Sequence, residues 1–468
     1  MFNSTKSVHI LIFPYPAQGH MLALLDLTHQ LALHGLTLTI LVTPKNLPTL
    51  NPLLSAHRSI KTLVLPLPHH PSLPAGVENV RDIGNSGNVP IINALGKLHD
   101  PITQWFKSHP NPPVALISDF FLGWTLHLAN QLGIPRIAFY STRAFLTSVL
   151  NFLWQNVKTV RSLPTVNLPD LPRSPCFAAE HLPSVYRAYR ESDPDTEFLR
   201  DGFLANARSW GSIFNSFDGL EGEYLDHLRK ETGHGRIWGV GPLSSVGRDE
   251  SMGRVNPDQN SGGGVLSWLD GCPDGSVVYV CFGSQKLLKR EQMEALASGL
   301  ERSGIRFVWV VKSVSAQQTA NGYGVIPDGF EDRVSGRGMV VKGWAPQVSI
   351  LSHRAMGGFL SHCGWNSLLE GVVAGVMILA WPMEADQFVN ARLLVEDTGA
   401  AVRVCEGVDS IPDSVELARK IAESMSGNTA QKVKAKELRD KAIEAVKVGG
   451  SSWKELEALV GELAQLGR

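Results

Sequence analysis

The most constraining part of the chain runs for 44 residues from Trp344 to Gln387: WAPQVSILSHRAMGGFLSHCGWNSLLEGVVAGVMILAWPMEADQ. Met356 to Ser361 is apolar and Gly-rich, the composition of a short buried strand. His362-Cys363-Gly364 follows as a turn, and Trp365-Asn366-Ser367 opens a helix that runs to Ala374. Met377 to Trp381 repeats the strand, and a second turn leaves Asp386 and Gln387 at another helix start. A strand that passes through a glycine turn into a helix makes an anion site. Free backbone N–H groups and the positive end of the helix dipole converge there. Asn366, Ser367 and His362 add side-chain donors, and Glu370, one helical turn on, offers a carboxylate suited to a sugar diol.

The same strand, turn and helix order occurs from the N-terminus. Val8 to Phe13 is a continuous apolar strand of the kind that parallel sheets bury on both faces. Pro14 to Gly19 is the turn, and His20 begins a helix that Gly35 stops. Leu38–Val42, Ile60–Leu65, Val114–Ser118 and Arg136–Tyr140 read as further strands, with helices over 91–106 and 123–132. Such a doubly wound sheet binds ligands at the carboxyl ends of its strands. His20 and Asp119 both fall at such ends, as does Ser141. Residues 160–205 are Pro-punctuated and read as irregular, and Ser212–Asn215 and Ile237-Trp238 as late strands. Ser244 to Gly264 is polar, Gly-rich and aperiodic, so it reads as a linker. Strands at 277–282, 307–311 and 339–342 then restart the pattern, with Gly283-Ser284 as a turn, and helices at 411–425, 427–447 and 452–466 close the chain. The periodicity alone gives an α/β class, and the length of the chain, the linker and the restart of the pattern after it point to two domains.

Composition narrows the function. A net charge of −1 over 468 residues lacks the basic surplus of a nucleic-acid binder. The opening MFNSTKSVHILIFPYP breaks its apolar run at Pro14 and Pro16, unlike a signal peptide. No stretch reaches the ~20 apolar residues of a membrane helix. The five cysteines are scattered without metal-ligand spacing and read as reduced thiols of a cytoplasmic protein. No heptad run or surplus apolar patch is visible, so a monomer is expected.

Trp344–Gln387 resembles the signature box of the plant secondary-product UDP-glycosyltransferases over its full length. Trp344, Gln347, His362, Trp365, Asn366, Ser367, Glu370, Asp386 and Gln387 stand at the family spacing. The likeness extends over essentially the whole chain and is nearest to the branch acting on flavonols and small phenolic acids. One departure is Met377, where the family usually has Pro after the Gly-Val pair. It alters a loop-to-strand junction and removes no ligand-binding side chain.

The resemblance implies the GT-B arrangement: two facing Rossmann-like domains with the active site in the interdomain cleft. Residues 1–246 would bind the acceptor, 247–448 (with the linker) the UDP-sugar, and 449–468 would form a helix packing back on the first domain. It also implies transfer of glucose from UDP-glucose, with inversion, to a hydroxyl of a small phenolic such as a flavonoid or hydroxybenzoate. His20 is then the base, an imidazole with a reference pKa of ~6.5. Asp119 holds its other ring nitrogen and stabilises the imidazolium. Trp344 would stack on uracil, Ala345 pair with the base edge through its backbone, and Gln347 and Glu370 hold the ribose. His362, Gly364, Asn366, Ser367 and Ser284 would cradle the diphosphate, and Asp386 and Gln387 bond the sugar hydroxyls. Trp365 is divided between packing and sugar contact, and Gly19 and Ser141 are added as donor contacts. Phe120, Phe121 and Trp124 would line an apolar acceptor slot. No D-x-D motif points to a metal, and no cofactor beyond the donor is expected.

In the family, Gln at the last box position is commonest among glucose users, so Gln387 favours UDP-glucose. UDP-xylose, UDP-rhamnose, UDP-galactose and a terpenoid acceptor stay open. A dehydrogenase would need G-x-G-x-x-G after the first strand, where the chain has PYPAQGH. A catalytically dead binder would be expected to lack His20 or Asp119. A nucleotide-sugar epimerase is a remote alternative, disfavoured by the apolar residues beside Asp119.

Overall fold

The apolar runs of the first half become one parallel sheet in the computed structural model of the protein, which describes residues 8–245 and 263–467. Its strands are β1 (His9–Phe13), β2 (Thr37–Val42), β3 (Ile60–Val64), β4 (Ala115–Asp119) and β5 (Arg136–Tyr140). A small antiparallel ribbon, β6 (Thr165–Asn167) with β7 (Cys176–Ala178), precedes β8 (Gly211–Phe214) and β9 (Ile237–Gly239). The seven-stranded order is β3-β2-β1-β4-β5-β8-β9. Every residue of β1 and β4 is buried, as strands covered by helices on both faces require. The direction of winding reverses between β1 and β4, where Phe13 stands opposite Ser118.

The second sheet is built the same way from β10 (Val277–Cys281), β11 (Arg306–Val311), β12 (Gly338–Lys342), β13 (Met356–Ser361), β14 (Met377–Ala380) and β15 (Ala401–Arg403). Its order, β12-β11-β10-β13-β14-β15, reverses between β10 and β13, with Cys281 opposite Ser361. An open parallel sheet leaves a crevice at the carboxyl ends of the strands where its winding reverses. His20 and Asp119 lie at that place in the first sheet, and Ser284 and His362 in the second.

The chain divides into two compact units, Met1–Gly253 with Glu444–Arg468, and Arg254–Ile443. The linker expected between Ser244 and Gly264, and the 246/247 boundary, lie almost wholly outside the described residues. The second unit ends at Ile443, inside the helix Ala430–Val446, rather than at the Gly449-Gly450 break. In the first unit, the helix Ser451–Leu466 puts Leu456, Leu459 and Leu463 on one face and into the core beside Met21, Leu24, Leu27 and Leu31 of the helix Gln18–Leu33. Burying each such leucine is worth about 2–3 kcal/mol. Ion pairs from Arg229 to Glu455 (3.0 Å) and His34 to Glu457 (2.8 Å) rim the contact.

Two expectations need correction. The single helix over 91–106 is two, Asn88–Gly96 and His99–Ser108. Pro101 has no N–H, and its ring would strike the carbonyl of Lys97 in a continuous helix, so the second helix restarts with Pro101 in its first turn. Residues 160–205 are not simply irregular: a 13-residue helix spans Pro194–Asn206, with Pro at its start and Asp195 and Glu197 in its first turn. It lies close to the turn after β4. A side chain at Gly123 would come 1.8 Å from the carbonyl oxygen of Gly202, so only glycine permits the approach.

Candidate active site

In the first unit the site grows from β1 and β4. The turn after β1 leads into the helix Gln18–Leu33, whose first turn carries Gly19 and His20, and β4 ends on Asp119. His20 Nδ1 lies 2.9 Å from Asp119 Oδ2, with the imidazole about one-fifth exposed and the carboxylate fully buried. Asp119 Oδ1 accepts from the backbone N–H of Phe121 at 2.9 Å. With Nδ1–H donated to the carboxylate, the imidazole lone pair is on Nε2.

Aromatic rings hold His20. Phe120 stacks on it at 5.4 Å and 15°, Phe121 tilts against it at 4.8 Å, and Tyr15 meets it edge-on at 5.3 Å. Tyr15 donates its hydroxyl to Asn88 Oδ1 (2.8 Å), and burial raises its pKa well above that of an ordinary phenol. Phe203, from the helix Pro194–Asn206, reaches both Phe120 and Phe121. Of the three residues expected to line an acceptor slot, Phe121 is half-buried beside His20 and Phe120 is buried under it. Trp124 instead turns inward and packs edge-on against Phe13. A hollow of about 520 Å³ opens between the segments 72–90 and 188–196, and its walls include neither His20 nor these rings.

Arg136 was missed by sequence reasoning. It is fully buried and donates to Ser118 Oγ (2.9 Å), Asn206 Oδ1 (2.6 Å), Ser209 Oγ (2.8 Å) and the carbonyl of Asp119 (3.2 Å). Burial pulls its pKa down to about 10, which leaves it charged at neutral pH. Asn206 in turn donates to the carbonyl of Phe120 (2.7 Å), so the end of β4 is pinned from behind. An arginine opening a strand gives no sequence signal for this. Ser141 is buried immediately past β5, the strand next to β4.

In the second unit the box occupies the turns after β12, β13 and β14, and the turn after β10 brings Gly283 up to His362. His362 follows β13, and two glycines make room for its ring: a side chain at Gly283 would come 2.7 Å from the imidazole, and one at Gly364 2.6 Å. Nδ1 of His362 is buried with no hydrogen-bond partner among the described residues. Burial, and then the charge of Lys286, push its pKa down to about 4, so the ring is neutral and acts as a hydrogen-bonding group. Gly364 is the N-cap of the helix Trp365–Ala374 and brings no capping side chain to it. Asn366 and Ser367 lie in the first turn of that helix, and Ser284 is exposed next to Gly283.

Gln347 donates to Glu370 Oε2 (2.7 Å) and to Ser367 Oγ (3.2 Å), which joins three of the expected residues. Trp344 is half-buried two residues past β12, and Ala345 is buried with its carbonyl accepting from Gln347 N–H (2.9 Å). Trp365, left between packing and sugar contact, is buried. Gln387 Oε1 accepts from the N–H groups of Met383 (2.9 Å) and Glu384 (3.0 Å), which turns its amide NH₂ away from that loop. Asn390 is the residue missed here. It is fully buried and donates to the carbonyl of Cys363 (2.6 Å) and to Asp386 Oδ2 (3.1 Å), tying the turn after β13 to the turn after β14. Both turns carry a non-glycine residue in the left-handed region, Cys363 (φ 66°) and Ala385 (φ 56°). Its position one helical turn after Asp386 was the available signal.

Among the described residues, no helix is long and apolar enough to cross a membrane. The model of the family described as UDP-glucoronosyl and UDP-glucosyl transferase matches residues 262–421. UDP-glycosyltransferase 89A2 of Arabidopsis thaliana is 54% identical over 469 residues, covering 99% of this chain and 97% of its own length. Flavonol 3-O-glucosyltransferase UGT89B1 of the same plant is 50% identical, covering 99% and 98%. The crystal structure of Arabidopsis thaliana UGT89C1 complexed with UDP-L-rhamnose superposes with a TM-score of 0.80 at 40% identity, over 98% of this chain and 100% of that one. A second structure of the same relative is complexed with quercetin.

Proposed function

This chain belongs to the plant UDP-glycosyltransferases and is a UDP-dependent transferase with the two Rossmann-like halves of the GT-B class, and from that premise we propose that it glucosylates a flavonol-type phenol. The observation that carries the reading is the His20–Asp119 pair set among Phe120, Phe121 and Tyr15. A flat phenol resting on Phe121 brings its hydroxyl to Nε2 of His20. The imidazole takes the phenolic proton, and Asp119 stabilises the imidazolium that results. The phenolic oxygen bonds to the anomeric carbon from the face opposite UDP. The old carbon–oxygen bond breaks with its electron pair going to the diphosphate, and the configuration inverts.

The box supplies the donor contacts in this reading. Trp344 stacks on uracil, Glu370 steadied by Gln347 accepts from the ribose diol, and the helix Trp365–Ala374 directs its N-terminus at the diphosphate. Asp386, held by Asn390, and the amide NH₂ of Gln387 bond the sugar hydroxyls. Glucose is supported by Gln387 and by the 50%-identical flavonol 3-O-glucosyltransferase. The rhamnose donor bound to UGT89C1 makes UDP-rhamnose the rival.

A donor-by-acceptor screen tests both halves of the proposal. UDP-glucose, UDP-rhamnose, UDP-xylose and UDP-galactose each meet flavonols, hydroxybenzoates and terpenoid alcohols, with product followed by mass spectrometry beside a His20→Ala control. Flavonol glucosides that the control abolishes are the expected result. Preference for another sugar sinks the glucose assignment and leaves the base standing. Full activity in the control sinks the base.

A further inference from the structure

Three turns of the second unit converge on one cation that the box does not contain. Lys286 stands three residues past Gly283 in the turn after β10, and its side chain is 15% exposed. Its charge acts on His362, in the turn after β13. Its Nζ lies 3.8 Å from Glu384 Oε2, in the turn after β14. That distance is too long for a hydrogen bond, so the carboxylate holds the ammonium by charge alone and loosely. The remaining side chains of the candidate diphosphate cradle, His362, Asn366, Ser367 and Ser284, are uncharged donors, and the box residues Glu370 and Asp386 and the turn residue Glu384 add carboxylates, not cations. A diphosphate entering this cradle gains hydrogen bonds but meets no neutralising charge from them.

We propose that Lys286 is the residue that neutralises the diphosphate of the UDP-sugar, exchanging Glu384 for phosphate oxygen when the donor binds. The proposal rests on the donor-site reading above. As the anomeric carbon–oxygen bond breaks, its electron pair moves onto the β-phosphate oxygen, and the ammonium answers that growing charge without giving up a proton. A fixed cation aimed at a leaving group lowers the barrier more than it tightens the ground state.

Calorimetric titration of UDP and of uridine into the wild-type chain and the Lys286→Met, Lys286→Arg and Glu384→Gln variants tests this. Lys286→Met is expected to weaken UDP about ten- to a hundredfold, the worth of a charged hydrogen bond, and to leave uridine within about twofold. Lys286→Arg is expected to recover most of the loss. Glu384→Gln, which removes the competitor, is expected to bind UDP at least as tightly as the wild type. UDP affinity unchanged in Lys286→Met overturns the proposal. So does an equal loss for UDP and uridine, which marks Lys286 as a structural partner of Glu384, and so does weaker UDP binding in Glu384→Gln. A wild-type chain that binds neither ligand overturns the donor-site reading, and this proposal with it.

Discussion

Asp119 has both carboxylate oxygens committed: Oδ2 lies 2.9 Å from His20 Nδ1, and Oδ1 accepts from Phe121 N–H at 2.9 Å. The backbone bond fixes the plane of the carboxylate, and the carboxylate then fixes the imidazole. Asp119→Asn keeps the shape but can present its NH₂ to the ring and stabilise the wrong tautomer. A kcat loss of about 10³–10⁴-fold is expected, with little change in the KM for donor. An acceptor of lower pKa is expected to lose less, because it depends less on a base. Equal losses for acidic and ordinary phenols would place the role of Asp119 elsewhere.

Glu370 is expected to read the ribose diol. Gln347 orients its carboxylate through the 2.7 Å bond. Glu370→Ala should weaken uridine binding about tenfold or more, the worth of hydrogen bonds to a charged acceptor. The decisive comparison is 2′-deoxyuridine. Wild type should prefer uridine clearly, and the variant should treat the two alike. A preference kept in the variant would assign the ribose to another residue.

The glycines beside His362 are expected to matter for binding, not only for folding. A methyl at Gly364 would lie 2.6 Å from His362, and Gly283 also sits at φ +75°. Gly364→Ala should therefore displace the imidazole and cost about 1–3 kcal/mol. Gly283→Ala adds backbone strain and should cost more than Gly364→Ala. Thermal unfolding and UDP titration of the two variants check the order, and intact UDP binding in both would show that the ring position is unimportant to the donor.

His362 should also leave a mark on the pH dependence of stability. Burial, and then Lys286, lower its pKa from 6.5 to about 4 in the folded chain. Above pH 6.5 the ring is neutral folded or unfolded and nothing is lost. As pH falls from 6.5 to 4 the unfolded chain takes up a proton that the folded chain refuses, so stability falls. The loss is complete below the folded pKa and amounts to about 3 kcal/mol at most. Melting temperatures of wild type and His362→Asn between pH 7 and 4.5 should converge toward low pH. Parallel curves would contradict the buried neutral imidazole.

The central strands and the box were legible because their signals are local. Met356–Ser361, Arg136–Tyr140 and the helix Trp365–Ala374 appear at the residues read from the chain, since apolar runs and glycine turns carry their own boundaries. What escaped depends on contacts distant in sequence. Arg136 meets Asn206 from 70 residues away, and nothing near Arg136 announces a buried cation. The helix Pro194–Asn206 is polar over much of its length and is held by the Gly123–Gly202 approach, so its apolar pattern is weak. Trp124 lies close in sequence to the two phenylalanines that touch His20, yet the turn after β4 sends it to Phe13. Neighbours along a turn do not share a face.

In the proposed donor site, the amide of Gln387 would serve two separable functions. Its oxygen accepts from Met383 and Glu384 N–H, shaping the turn, and its NH₂ is the group left to meet a sugar hydroxyl. Gln387→Glu keeps the acceptor for the turn but removes the donor. It should fold with a melting temperature near wild type and lose about tenfold in kcat/KM for the preferred UDP-sugar. Gln387→Leu loses both and should in addition be destabilised by about 1–3 kcal/mol, since the buried N–H of Met383 and the half-buried N–H of Glu384 lose their acceptor. If Gln387→Glu unfolds as readily as Gln387→Leu, the amide serves the turn in a way that charge disrupts. If it folds well and keeps full kcat/KM, the NH₂ does not touch the sugar, and the case for glucose from this residue falls.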